Sequence, residues 1–204
     1  MKFILASKSP RRREILENLG LEFEIVTSDA PEDYDPSLAP CEVVKFLSAK
    51  KAQAVRDKLV SDGRDLSQTV IIASDTVVAA GGEILGKPSG REDAKRMIRL
   101  IEGGTHSVLS GISVICGDRI VSDCDETFVR FVHMTEDEIE LYVSTGECDD
   151  KAGAYAIQGY ASLFIRGIEG DYFNVVGLPV QCLRRLLKEK LGIELAEHLD
   201  MNRA

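Results

Sequence analysis

Residues 70–85 read VIIASDTVVAAGGEIL and carry the clearest fold signal in the chain. The first part is mostly apolar and rich in β-branched side chains, which is typical of a strand buried on both faces. Gly81-Gly82 predicts the two-residue turn of a β-hairpin, with Glu83 to Leu85 as the partner strand. A strand buried on both faces indicates a sheet covered by helices. This stretch therefore predicts an α/β protein.

Helical and strand patterns alternate on both sides of this stretch. Phe3 to Ala6 predicts a first strand, and Ser9, as an N-cap before Pro10, predicts a helix that ends near Gly20. Further strands are predicted at 23–27, 107–116, 119–132 and 162–168, and further helices at 41–60, 91–102, 135–145 and 179–191. We expect a single domain over residues 1–204, with a frayed tail from about 193 to 204.

The composition excludes several classes of protein. The 204 residues include 34 acidic and 25 basic side chains, which give a formal net charge of −9. This charge disfavours non-specific binding to nucleic acid or to an anionic membrane, so we expect neither as a partner. No apolar stretch approaches the length of a membrane span, and the five scattered cysteines show no disulfide or zinc spacing. These features predict a soluble, cytoplasmic protein.

Three consecutive arginines occupy the first turn of the first predicted helix. Cations there oppose the helix dipole at a cost of roughly 0.3–1 kcal/mol each, so their presence needs a reason. Arg13 has Glu17 four residues on, the spacing of an ordinary surface ion pair. Arg11 and Arg12, together with the free amides of the helix start, suit a polyphosphate. Ser7 either adds a hydroxyl to that anion site or is an ordinary turn serine.

Asp75 stands inside the apolar strand. An ionised carboxylate buried there costs several kcal/mol unless it is paired or bound to metal, so Asp75 is either a structural ion-pair member or a functional group. Counting from the glycine turn places Lys87 opposite Thr76 and therefore near Asp75. Strict pleat alternation would point Lys87 and Asp75 to opposite faces, so the count predicts proximity rather than orientation.

Lys51 interrupts an apolar row on the predicted helix 41–60. It either extends its ammonium to water or points it into a functional site. The three histidines are isolated and show no metal-ligand spacing. A site built from carboxylate, lysine and arginine suits phosphate-ester or anhydride chemistry with a divalent cation.

Five segments occur in an order that one protein family shares. They are LASKSPRRREIL at 5–16, ASDTVV at 73–78, GKP at 86–88, DKAGAYAIQG at 150–159 and NVVGLP at 174–179. Together they resemble the Maf family of nucleoside triphosphate pyrophosphatases. The resemblance implies a fold similar to that of inosine triphosphatase, with a long mixed sheet, flanking helices and two lobes around a central cleft. It also implies a homodimer that hydrolyses the bond between the α and β phosphates of a nucleoside triphosphate, giving the nucleoside monophosphate and pyrophosphate.

The resemblance assigns roles to the residues already singled out. It makes Asp75 the base that activates water and a ligand of a divalent cation, Mg²⁺, Mn²⁺ or Co²⁺. The second metal ligand comes from the acidic loop and is expected to be Glu32, with Asp29 and Asp33 as alternatives. The side chains that the resemblance places around the phosphates are Ser7, Arg12, Lys51 and Lys87.

Three further residues resemble the branch of the family that acts on dTTP and UTP. They are Arg11, Thr76 and Gln158; a glutamine presents both a donor and an acceptor to the edge of a pyrimidine base. The family is also described as inhibitors of septum formation, so an alternative is a nucleotide-binding regulator of cell division that needs no catalysis. RNA binding through the arginine cluster is disfavoured by the net charge and by the lack of an aromatic platform.

Overall fold

The computed structural model describes residues 1–200, and strands and helices alternate along them. The strands are β1 Lys2–Leu5, β2 Phe23–Ile25, β3 Thr69–Ala80, β4 Glu83–Leu85, β5 Thr105–Cys116, β6 Arg119–Phe131 and β7 Ile165–Glu169. The helices are α1 Pro10–Asn18, α2 Pro40–Ser61, α3 Arg91–Ile101, α4 Glu136–Ser144, α5 Tyr172–Val176 and α6 Val180–Arg185. No helix within this part of the chain is both long enough and apolar enough to cross a membrane.

The seven strands form one mixed sheet in the order β2-β1-β3-β5-β6-β7, with β4 paired to β3. β1 runs parallel to both β2 and β3, whereas the β3–β4 and β6–β7 pairs are antiparallel. β3 is buried from Thr69 to Asp75, as its apolar sequence predicts. The mixed sheet with flanking helices confirms the predicted α/β class.

The β3–β4 hairpin has the predicted register. Both turn glycines have positive φ, +58° and +82°, which the turn requires and which glycine adopts without strain. Val78 pairs with Leu85 and Ala80 with Glu83. β4 ends at Leu85, so the ladder stops before Lys87, and the expected pairing of Lys87 with Thr76 is not part of it.

The end of the chain differs from the sequence prediction in two places. The strand predicted at 162–168 begins later, because Tyr160–Leu163 forms a 3-10 turn. The closing helix changes to π-helical hydrogen bonding over Leu186–Leu191 and ends at Gly192, whose φ is +72°. Within the tail expected to fray, Leu199 pairs with Leu21, and residues 201–204 lie outside the described residues.

The described chain divides into two compact units. The first comprises residues 1–75, 110–125 and those from Gly177 onward, and the second comprises 76–109 and 126–176. In the first unit an apolar cluster joins α2 to the sheet; its members include Ala52, Val55, Ile71 and Ala73. The core of the second unit gathers side chains of α3, α4 and β6, among them Ile98, Ile139 and Val129.

A close approach fixes the position of α2 on the sheet of the first unit. A Cβ atom at Gly111 would overlap the carbonyl group of Val44, so β5 needs glycine where α2 lies against it. Nearby, the buried hydroxyls of Ser48 and Ser113 form a hydrogen bond of 2.8 Å. Small side chains therefore hold α2, the helix that carries Lys51, directly against the strands.

His106 is a buried histidine in the second unit. Its Nε2 atom lies 2.8 Å from the hydroxyl of Tyr155, and its ring packs against those of Tyr155 and Phe131. Within residues 1–200 its buried Nδ1 atom has no hydrogen-bond partner. Burial lowers the pKa of His106 to about 4, so the folded protein holds a neutral imidazole.

The buried imidazole makes stability depend on pH. As the pH falls, the unfolded chain, whose histidine pKa is near 6.5, binds a proton at a higher pH than the folded chain does. The contribution of His106 to the free energy of unfolding is therefore fully present above pH 6.5. It falls by about 2–3 kcal/mol as the pH drops towards 4. Urea unfolding at pH 7 and pH 4.5 checks this against His106→Gln, which should lose that part of the pH dependence. Equal pH dependence in both proteins would contradict the assignment.

Candidate active site

The start of α1 lacks the cap that the sequence predicts. Ser9 occupies the N-cap position, but its side chain makes no capping hydrogen bond; its backbone N–H donates instead to the Ser7 hydroxyl at 3.1 Å. The first turn of the nine-residue helix also contains no acidic side chain. The positive end of the helix dipole is therefore neither capped by Ser9 nor neutralised by an acid in that turn, an arrangement that suits an anion.

Arg12 is anchored beside this helix start. Its Nε donates to the carbonyl oxygen of Gly177 at 2.7 Å, and one terminal nitrogen donates to the Ser7 hydroxyl at 3.4 Å. Burial lowers the pKa of Arg12 from its usual value, and the negative charge of Asp75 acts in the opposite direction. Arg12 therefore combines a fixed orientation with partial burial, which strengthens its interaction with an anion.

The neighbouring arginines differ from Arg12. Arg13 forms the expected surface pair, with its Nε 2.7 Å from a carboxylate oxygen of Glu17. Both side chains of that pair are exposed, which agrees with a role on the helix surface. Arg11 is half-buried and lies close enough to Arg12 to contribute to the lowering of the pKa of Arg12. The structure thus separates Arg13 from the two arginines that the sequence linked to a polyphosphate.

Asp75, Lys51 and Glu32 meet at one point of the first unit. Asp75 is only 8% exposed, and its carboxylate is ion-paired with the ammonium of Lys51. The same ammonium lies 2.7 Å from a carboxylate oxygen of Glu32. Counting from the hairpin turn predicts Lys87 near Asp75, whereas the ion-pair partner of Asp75 in the structure is Lys51. The reason is tertiary: α2 packs on the face of the sheet, so a side chain on its inner row reaches β3.

Three of the four carboxylates in the acidic loop before α2 pair with a lysine, each with a different one. The pairs are Asp29 with Lys8 at 2.6 Å, Glu32 with Lys51 at 2.7 Å and Asp33 with Lys50 at 2.8 Å. Of the three acids, Glu32 alone shares its lysine with Asp75. This geometry distinguishes Glu32 from the two alternatives as the acid that meets the Asp75 carboxylate at one ammonium.

Two carboxylates that converge on one ammonium also fit a divalent cation. Mg²⁺ takes oxygen ligands and is usually held by one or two carboxylates together with substrate phosphates. Across residues 1–200 there is no group of three or more His, Cys, Asp or Glu side chains that could hold a metal ion. The donor set of Asp75 and Glu32 would suit a cation only if an anionic substrate and water supplied its remaining ligands.

Arg12 is oriented by a contact that no local sequence pattern predicts. The carbonyl oxygen of Gly177, which accepts from Arg12, also accepts a hydrogen bond of 2.9 Å from the hydroxyl of Ser74. Ser74 is fully buried and directly precedes Asp75. Gly177 has a φ of +121°, a conformation that favours glycine. The glycine within NVVGLP was the available signal, but only the fold brings its carbonyl to Arg12.

The other three candidate residues belong to the second unit. Thr76 is half-buried, whereas Lys87 and Gln158 are exposed. The segments that carry Lys87 and Gln158 are joined, because the Gly153 N–H donates to the Gly86 carbonyl at 3.0 Å. Gly153 has a φ of +67°, the left-handed region that glycine favours. This hydrogen bond therefore places the two segments next to each other within the second unit.

The fold is similar to that of a solved structure, the Staphylococcus aureus Ham1 protein. The likeness has a TM-score of 0.50 at 11% sequence identity and covers 93% of this chain and 100% of that chain. It supports the α/β architecture and, at this identity, nothing about the site. A family model described as Maf-like protein matches residues 2–190. The chain therefore belongs to the Maf family.

Curated relatives cover nearly the whole chain. A protein of Caldanaerobacter subterraneus subsp. tengcongensis, named dTTP/UTP pyrophosphatase, is 46% identical over 95% of this chain and 91% of its own length. Proteins of Thermoanaerobacter sp. (strain X514) and Bacillus anthracis, with the same name, are each 43% identical. They cover 96% and 92% of this chain, and 100% and 95% of their own lengths, respectively.

Proposed function

We propose that this Maf protein hydrolyses nucleoside triphosphates, with a preference for dTTP and UTP, to the monophosphate and pyrophosphate. The observation that carries the proposal is the meeting of Asp75 and Glu32 at the Lys51 ammonium. In the same unit lies the α1 start, where Arg12 donates a hydrogen bond to the Ser7 hydroxyl, and the proposal places the phosphates there. The names of the relatives, at 43–46% identity, supply the substrate class.

The phosphate chain meets several positive groups in this proposal. The amides at the start of α1, the Ser7 hydroxyl and the Arg12 guanidinium donate to phosphate oxygens. Lys51 exchanges a carboxylate partner for a phosphate oxygen when the substrate binds, because a polyphosphate carries more charge than either acid. Lys87, exposed at the end of the β3–β4 hairpin, is the proposed cation of the second unit. Positioning and charge neutralisation supply most of the catalysis in this chemistry.

Asp75 is proposed as the base of the reaction. Its ion pair with Lys51 and its burial in β3 fix the direction of the carboxylate. A carboxylate held in this way accepts the proton of a water that attacks phosphorus. A divalent cation, Mg²⁺, Mn²⁺ or Co²⁺, held by Asp75 and Glu32, would supply positive charge to neutralise the phosphate oxygens.

Base selection is assigned to Arg11, Thr76 and Gln158. We expect Gln158→Glu to lower the catalytic efficiency for dTTP and UTP about tenfold or more and to affect purine triphosphates much less, because a carboxylate accepts hydrogen bonds but cannot replace the donor of the amide. The measurement is the ratio of kcat/KM for dTTP to that for dGTP in the variant and the wild type. A proportional loss on every substrate would show that Gln158 does not read the base.

The activity itself is tested by pyrophosphate release. Purified protein is assayed with canonical and modified triphosphates in the presence of Mg²⁺, Mn²⁺ or Co²⁺, with a chelator as the metal-free control. Pyrophosphate and the monophosphate should appear in equal amounts, with dTTP and UTP turned over fastest. Arg13→Ala should change turnover far less than Arg12→Ala, because the Arg13–Glu17 pair lies on the surface. Release of inorganic phosphate alone would contradict cleavage between the α and β phosphates.

A cytoplasmic homodimer completes the proposal. The five cysteines are free thiols in the structure, which suits a reducing compartment. Large apolar side chains are exposed in the second unit, including Leu141, Tyr160 and Leu163, and exposed apolar surface of this kind suits an interface. Light scattering after size-exclusion chromatography measures the state in solution, and a mass near 22.4 kDa would contradict the dimer.

A further inference from the structure

Glu147 is a half-buried carboxylate just after α4 that the proposed reaction does not use. One carboxylate oxygen accepts a hydrogen bond of 2.6 Å from the N–H of Tyr160. The other accepts hydrogen bonds from the N–H of Ala161 at 3.2 Å and from the hydroxyl of Tyr142 at 3.1 Å. Three donors from two parts of the second unit therefore converge on one side chain.

The carboxylate lies against the backbone that directly follows Gln158. A Cβ atom at Gly159 would collide with the Glu147 carboxylate, so a larger residue there would displace that carboxylate. The two backbone N–H groups that donate hydrogen bonds to Glu147 belong to the first two residues of the 3-10 turn Tyr160–Leu163. The N-cap residue of this turn provides no side-chain cap. Glu147 thus supplies that cap from a distant part of the sequence and holds the backbone within two residues of Gln158.

The tyrosine that contacts Glu147 is buried in the core of the second unit. Tyr142, on α4, is 3% exposed, and its hydroxyl lies within hydrogen-bond distance of both Glu147 and the Ala154 carbonyl. Burial, reinforced by the negative charge of Glu147, raises the pKa of Tyr142, so the phenol stays protonated and keeps its donor. A connected series of hydrogen bonds therefore runs from the Tyr142 hydroxyl on α4, through the Glu147 carboxylate, to the backbone of the 3-10 turn.

We propose that Glu147 is a positioning residue for pyrimidine selection, because it fixes the backbone from which Gln158 presents its carboxamide. This inference rests on the proposed function. All three groups that face the Glu147 carboxylate are donors, so the site requires a side chain with two acceptor oxygens. An amide would turn one of those oxygens into an NH₂ group facing a backbone N–H, which loosens the loop.

The test is Glu147→Gln, which keeps the volume and removes one acceptor. We expect the ratio of kcat/KM for dTTP to that for dGTP to fall about tenfold, as for the loss of one hydrogen bond to a charged group, with dGTP turnover nearly unchanged. Glu136→Gln is the matched control, because Glu136 is an exposed carboxylate of α4 paired with Arg99. That control should keep the wild-type ratio.

A double-mutant cycle with Gln158→Ala separates positioning from general damage. If Glu147 acts through Gln158, the double variant should show little further loss of the ratio beyond Gln158→Ala alone. Should Glu147→Gln not fold, Glu147→Asp keeps the charge on a shorter arm and should lower the ratio in the same cycle.

Three outcomes contradict the role of Glu147 alone, and a fourth contradicts the proposed function as well. An unchanged dTTP-to-dGTP ratio, additive effects in the cycle, or equal loss on both substrates would overturn the role of Glu147 and leave the proposed function standing. Failure of the wild-type protein to release pyrophosphate would overturn the proposed function, and this inference with it.

Discussion

Asp75→Asn is expected to lower pyrophosphate release by about a thousandfold or more while the protein remains folded, because the amide keeps the volume of the side chain but cannot accept the proton of water. The amide oxygen still accepts a hydrogen bond from Lys51, and Lys51 keeps its pair with Glu32. Burial of a neutral amide at an 8% exposed position also costs less than burial of a charge. Turnover of dTTP and the free energy of unfolding are the two measurements.

The control for this prediction is Asp29→Asn, which removes an exposed carboxylate paired with Lys8. That variant should turn over dTTP like the wild type. Rapid turnover by a folded Asp75→Asn protein would remove Asp75 from the mechanism. Strong destabilisation of Asp75→Asn would instead show that Asp75 serves mainly as the structural partner of Lys51.

Lys51→Met is expected to lower kcat/KM about a hundredfold, since it removes a cation proposed to bind phosphate. The sequence alone predicts little loss of stability, because methionine keeps the apolar stem of lysine. The structure changes that expectation: the variant leaves the buried Asp75 carboxylate without its ammonium. We expect a loss of about 2 kcal/mol at neutral pH, less than for a fully buried pair because both side chains retain some solvent contact.

A second lysine of α2 identifies the cause of this loss. Lys50→Met is the matched control on the same helix, because Lys50 pairs with the exposed Asp33. Denaturant unfolding at neutral pH measures both variants, and Lys50→Met should lose much less stability than Lys51→Met. Wild-type kinetics in Lys51→Met would return this lysine to a purely structural role.

The order of strands and helices could be predicted because each depends on neighbours in sequence. The apolar run of β3 and the two glycines of its turn both act over a few residues, and both are present in the structure. The Arg13–Glu17 pair follows from helix spacing in the same way. The 3-10 turn at Tyr160–Leu163 was not predicted, because its cap comes from a residue outside the turn.

The sequence by itself determined the α/β class, the hairpin register and the residue types of an anionic-ligand site, because these follow from local periodicity and from the cost of placing charge in an apolar strand. Only the tertiary structure decided which groups meet. It chose Lys51 rather than Lys87 as the partner of Asp75, Glu32 among the loop acids, and Gly177 as the anchor of Arg12. Each of these contacts joins residues more than 20 positions apart or in different elements, so the packing of helices on the sheet determines them, and no periodicity in the sequence records that packing.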